Sequence, residues 1–162
     1  MRVFMSYHTP DTEEANRLRD ALSARSPGLD LYFAPARNTL GAYWLPRLGE
    51  ELQASDAVLL VLGDKVGPWQ ELEYYEAMRL SRRSGRPLIV PVVIGKVAPG
   101  LQFLDLHHQL FAHDRPLEDI VGAALRAFDG VGMIDEEPPW RRYNPYKGLS
   151  ALGTEDARFF FG

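Results

Sequence analysis

Ala57-Val58-Leu59-Leu60-Val61-Leu62 is followed, after Gly63-Asp64-Lys65-Val66-Gly67-Pro68, by Trp69-Gln70-Glu71-Leu72-Glu73. The first stretch is apolar without alternation, the pattern of a strand covered on both faces. Gly67-Pro68 then breaks the chain, and from about Trp69 to Arg83 the residues read as a helix that Gly85 stops. A buried strand leading into a helix is the building unit of a parallel α/β sheet. It sets Glu73 in the first turn of a helix at the carboxyl end of a strand, where open α/β sheets take their ligands.

The same alternation continues on both sides. Arg2 to Ser6 reads as a first strand, and Asp11 to Arg25 as a helix with Ala15, Leu18 and Leu22 on one stripe. Asp11 is placed to cap that helix, and Glu13 and Glu14 suit its positive end. Leu29 to Ala34 is a second strand, Pro35 to Gly41 a loop, and Tyr43 to Ala54 a helix with Leu45, Leu48 and Leu52 inside. Leu88 to Ile94 is a fourth strand whose Pro91 implies a bulge or a weakly paired position. A short fifth strand is expected around Leu110-Phe111, and a last helix from Pro116 to Phe128. Phe4, Val58, Leu60, Val90 and Val92 are the expected core, with the loops 7–10, 35–43 and 64–69 gathered at one rim. The compact domain is expected to end near Gly130, with residues 130–143 as a linker by composition.

Composition narrows the function. A length of 162 residues suits one compact domain plus an appendage. The net charge of −4 argues against a nucleic-acid footprint. No apolar run approaches the roughly 20 residues of a membrane helix, and the amino end leads into a strand pattern without a signal-peptide cleavage region. With no cysteine, disulfides, thiolate metal sites and cysteine nucleophiles are excluded, and a cytoplasmic location is expected. His107, His108 and His113 show no helical ligand spacing and no acidic partner set, so no metal is expected.

Four pieces in one order carry a resemblance: Phe4-Met5-Ser6-Tyr7; Gly41 followed by Trp44; Ser55-Asp56 opening the third strand; and Trp69 with Glu73, then Pro91. Together they resemble the Toll/interleukin receptor (TIR) domain family over residues 1–129. The resemblance implies a flavodoxin-like fold, a five-stranded parallel sheet in order 2-1-3-4-5 with helices on both faces. Many members of that family cleave NAD at the nicotinamide–ribose bond, and NAD is then substrate rather than cofactor. By its distance from Trp69, Glu73 matches the family's catalytic glutamate. Tyr7, His8, Thr9, Phe33, Gly41, Tyr43 and Trp69 match positions expected to contact substrate. The chain departs from the family at His8-Thr9, where many members carry basic residues, at Ala34, where many carry an acid, and at Leu62-Gly63, where Leu-Ser is usual. A second resemblance lies in Asn144-Pro145-Tyr146-Lys147-Gly148-Leu149 and Glu155 to Gly162, which look like the start of a bacterial STAND-type NTPase module over 144–162. No phosphate-binding loop of the form G-x-x-x-x-G-K-[ST] is present. The expected partners are other TIR domains by self-association and the NTPase and sensor modules of a larger chain.

One glutamate suits this bond. Glycosidases commonly use two carboxylates, one of them to protonate the leaving group. Nicotinamide is already cationic in NAD and leaves neutral, so a carboxylate facing the oxocarbenium-like ribose is the remaining need. Trp69 and Tyr43 offer aromatic surface beside it, and serve equally as core aromatics. The helix also has a plainer reading. Glu71, Glu73 and Glu76 precede Arg79, Arg82 and Arg83, an order that stabilises any helix through its dipole. Against that, the spacing of Glu73 to Ala77 and Leu80 puts it on the stripe that faces the sheet, which Glu71 and Glu76 do not share. Tyr74-Tyr75 reads as packing. A non-enzymatic TIR–TIR scaffold, a phospho-receiver domain and a nucleoside ribosyltransferase remain as alternatives.

Overall fold

The computed structural model describes residues 1–33, 44–96 and 100–130, the side chains of 44–46 excepted. Its elements are β1 (Arg2–Tyr7), α1 (Thr12–Arg25), β2 (Asp30–Phe33), α2 (Trp44–Gln53), β3 (Ala57–Leu62), α3 (Pro68–Ser84), β4 (Leu88–Val93), β5 (Leu110–Phe111) and α4 (Leu117–Asp129). All strand pairs are parallel, and the sheet order is β2-β1-β3-β4-β5. This is the flavodoxin-like arrangement expected from the alternating elements. Chain direction across the sheet reverses between β1 and β3, which opens a crevice at their carboxyl ends.

Successive side chains on a strand point to opposite faces, and the core divides accordingly. Val3, Met5, Leu59, Val61, Val90 and Val92 pack toward α1 and α4. Phe4, Val58, Leu60, Leu62 and Val93 pack toward α2 and α3, where Leu48, Leu52, Tyr74, Ala77 and Leu80 meet them. The five residues expected as core are all buried. Side-chain parity therefore assigns Ser6, which follows Phe4 by two, to the α3 face, and Tyr7 to the α1 face.

Two local expectations change and a third is narrowed. Of the bulge or weakly paired position that Pro91 implied, only the second is found; the proline keeps register with Leu60. The backbones of Leu88 and Ile94 donate toward β3, while the Val93 carbonyl accepts from Ala112 beside β5. Alternation then turns Pro91 to the β5 side, where pairing begins only at the Val92–Leu110 rung. Its missing N–H faces a position that has no strand to bond. Asp11 sits at the amino end of α1 but makes no side-chain cap; its carboxylate lies against Gly63 instead. Finally, α3 begins at Pro68 rather than Trp69, and Glu73, its sixth residue, lies in the second turn rather than the first. That helix ends at Gly85, whose φ of 76° suits a residue without Cβ.

A compact unit spans Met1–Val131. The readings made on 35–43 and on the linker and tail beyond Gly130 lie outside the described residues. No described helix is long and apolar enough to cross a membrane.

Candidate functional site

Glu73 is 2% exposed. Burying a carboxylate costs several kcal/mol unless polar partners replace water. The sheet supplies one: Ser6 Oγ, itself 1% exposed, donates to Glu73 Oε2 at 2.7 Å. Ser6 reaches it because β1 places that residue on the α3 face. α3 in turn presents Gln70, Glu73, Tyr74, Ala77 and Leu80 inward, a stripe of helical spacing.

Gln70, one turn before Glu73 and 1% exposed, anchors the start of the helix. Its Nε2 donates to the Val61 carbonyl at 2.6 Å, at the carboxyl end of β3. Its Oε1 is buried with no hydrogen-bond partner, an acceptor whose desolvation is left uncompensated. Four buried polar side chains occur among the described residues: Ser6, Ser55, Gln70 and Glu73. Three of them stand together where β1 and β3 end beside the first two turns of α3. Ser6 and Gln70 were not among the residues expected at the site. A signal for Ser6 existed in the sequence, as a polar residue with the parity of Phe4 toward the carboxyl end of an apolar strand, where only Arg2 at the strand's start shares that parity and polarity.

The rim above is built by close approach. His8 follows β1, and its imidazole lies against Gly67, the residue that precedes α3; a Cβ there would fall 2.5 Å from His8 Cδ2. The Asp11 carboxylate packs on Gly63, and burial raises its pKa above the usual 3.8, opposed by the nearby His8. Thr9 turns the chain between them, its carbonyl accepting from Thr12 Oγ1 at 2.6 Å. Trp69 stands in the first turn of α3 at the same rim, 39% exposed.

The expected substrate contacts therefore divide. His8, Thr9 and Trp69 are at the rim beside the start of α3. Tyr7 and Phe33 are on the other face of the sheet, edge to face with each other at 5.4 Å and packed with the α1–α4 core. The Arg19 guanidinium lies over the Phe33 ring at 5.2 Å. Period-two geometry explains the place of Tyr7, since it and its neighbour Ser6 on β1 cannot share a face; His8 and Thr9 lie beyond the end of that strand. Gly41 and Tyr43 lie outside the described residues.

The rival carboxylates are occupied elsewhere. Glu71 is exposed. Glu76 accepts two hydrogen bonds from Arg79, at 2.8 and 2.6 Å, and that pairing holds its carboxyl below the usual 4.5. Tyr74 is fully buried, and burial first, then Tyr75 and Asp105, pushes its hydroxyl up to about 12. His107 stands edge-on to Tyr74, with burial and then Arg82 lowering its pKa. His113 pairs with Asp114 at 3.2 Å. A cleft of about 280 Å³ bounded by Arg17, Leu18, Val92, His113 and Ile120 opens on the α1–α4 side, and Glu73 takes no part in it.

A buried carboxylate oriented by a strand hydroxyl at the crevice of an α/β sheet can stabilise a developing positive charge or hold hydroxyl groups. A family model described as TIR domain matches residues 3–121 of the chain. No curated protein matches it.

Proposed function

The chain belongs to the TIR domain family, and from that premise we propose that it cleaves NAD at the nicotinamide–ribose bond with Glu73 as the catalytic carboxylate. The observation that carries the reading is Glu73 itself, a carboxylate withdrawn from water and oriented by Ser6 at the β1–β3 crevice. In the reaction the bond from ribose C1′ to the pyridinium nitrogen breaks. The bonding pair passes to nicotinamide, which leaves neutral. The ribose becomes oxocarbenium-like and the Glu73 carboxylate meets that charge. Water then adds at C1′ and releases a proton, giving ADP-ribose; capture by a base of the same molecule would give a cyclic product. His8 and Trp69 stand where the substrate enters.

Clustering fits this site. Glu73 is covered in the structure, so substrate needs a state in which the crevice is open. A neighbouring TIR domain that binds the open state better shifts the population toward it. The resemblance of the tail to a STAND-type module supports an effector domain driven to assemble by NTPase and sensor modules, in the cytoplasm, as part of bacterial immune signalling.

The same burial favours a second reading. A hydrogen-bonded interior glutamate also serves a domain that only recruits other TIR domains. Concentrated or tethered protein incubated with NAD, with products resolved by mass, decides between them. Glu73→Gln keeps size and hydrogen-bonding reach but removes the charge. It should cost on the order of 100-fold or more in turnover with the melting temperature close to that of the parent. Wild-type protein that turns over no NAD when clustered, or a Glu73→Gln variant at the wild-type rate, leaves the scaffold reading.

A further inference from the structure

We infer that Ser6 is a positioning residue for the proposed reaction: its hydroxyl fixes the Glu73 carboxylate in the orientation that meets the ribose. The inference rests on the NAD-cleavage reading and adds a residue to it.

The last torsion of a glutamate is broad and nearly two-fold, so a carboxylate on a helix does not hold one orientation by itself. Here one oxygen, Oε2, accepts from Ser6 Oγ at 2.7 Å. The donor is rigidly held. Ser6 belongs to a strand with neighbours on both sides, and its own Cα partner on β3 is Leu60. The acceptor's helix is held as well, because Gln70, one turn earlier, is bonded to the Val61 carbonyl of the same β3. Strand and helix thus fix both ends of the hydrogen bond. A hydroxyl donated to an ionised carboxylate also favours the ionised form, the form that opposes positive charge.

Ser6 Oγ touches no reacting atom; it acts through Glu73. A hydroxyl that only satisfied a buried charge would look the same in the structure, and the two roles separate in kinetics. Thr and Val have nearly the same shape, and only Thr retains the hydroxyl. Ser6→Thr, Ser6→Val and Ser6→Ala are compared in the clustered, full-length chain, with turnover expressed per folded molecule. Ser6→Thr is expected to stay within about threefold of wild type. Ser6→Val and Ser6→Ala are expected to lose about 10- to 100-fold in kcat, as when the partner that orients a functional ligand is removed. KM should change little, and the acid limb of the pH profile should move to higher pH. If Val and Ala match Thr per folded molecule, with unmoved pH profiles, while Glu73→Gln is inactive, the role of Ser6 fails and the NAD reading stands. If wild type shows no Glu73-dependent cleavage, both fail together.

Discussion

Gly67→Ala tests how tightly the rim is built. The backbone at Gly67 (φ −78°, ψ 149°) is open to any residue, so alanine meets no conformational penalty. Reduced freedom of the unfolded chain would by itself stabilise the fold by about 0.4–1 kcal/mol. The added Cβ, however, would fall 2.5 Å from His8 Cδ2, 3.1 Å from Nε2 and 3.2 Å from Cγ. Three ring atoms are affected, so a small rotation cannot relieve the clash and the imidazole must move as a body. Overpacking of this kind costs about 1–3 kcal/mol. His8 is only half-buried, which favours the lower part of that range. The net expectation is a loss of roughly 1 kcal/mol, or about 4 °C in melting temperature for a unit of this size. The assay is a double-mutant cycle read by thermal or urea melts: wild type, Gly67→Ala, His8→Ala and the double variant. With the ring gone, Gly67→Ala should turn from destabilising to stabilising. If it stabilises equally with His8 present and absent, the close approach does not constrain the rim and the reasoning is refuted.

Two further expectations follow from charge. Asp11 has a folded pKa raised above 3.8, chiefly by burial, so its contribution favours folding below that pH and is lost as pH rises through the folded value. Asp11→Asn should therefore raise the urea midpoint at pH 7 and leave it nearly unchanged near pH 3; equal gains at both would contradict the burial argument. Glu76 is shifted the other way, lowered from 4.5 by its bonds from Arg79. Its contribution is present above that pH and disappears as pH falls through the folded value. Glu76→Gln should lower the melting temperature slightly at pH 7, not at pH 3, and should leave NAD turnover within a few fold; a collapse of turnover would make Glu76 the rival carboxylate after all.

Much of the fold was legible because the determining signals were local. The unbroken run Ala57 to Leu62 marked a strand covered on both faces, and Gly67-Pro68 and Gly85 bracketed the helix after it. Burial of Glu73 followed from its spacing to Ala77 and Leu80. What was harder to read depended on contacts between distant segments. The neutral behaviour of Pro91 depends on where β5 begins, 19 residues later in the chain at Leu110. Asp11 has the composition and place of a helix cap, yet the approach of Gly63 gives its carboxylate a different neighbour. At the site, the tetrapeptide Phe4-Met5-Ser6-Tyr7 drew notice to its tyrosine, whereas the strand's alternation turns the tyrosine away from Glu73 and the serine toward it.

The shortness of the outer strands bears on how copies of this domain can join. Among the described residues the sheet is bordered by β2, four residues long, and β5, two residues long. Backbone-to-backbone growth of a sheet from molecule to molecule needs a long flat border, and natural sheets guard against it by keeping border strands brief. Here β5 offers two rungs at most. The clustering proposed above would then proceed through side-chain surfaces, whose contacts can be made and released as concentration changes. Such contacts suit the proposed switching better than the near-irreversible stacking of strands.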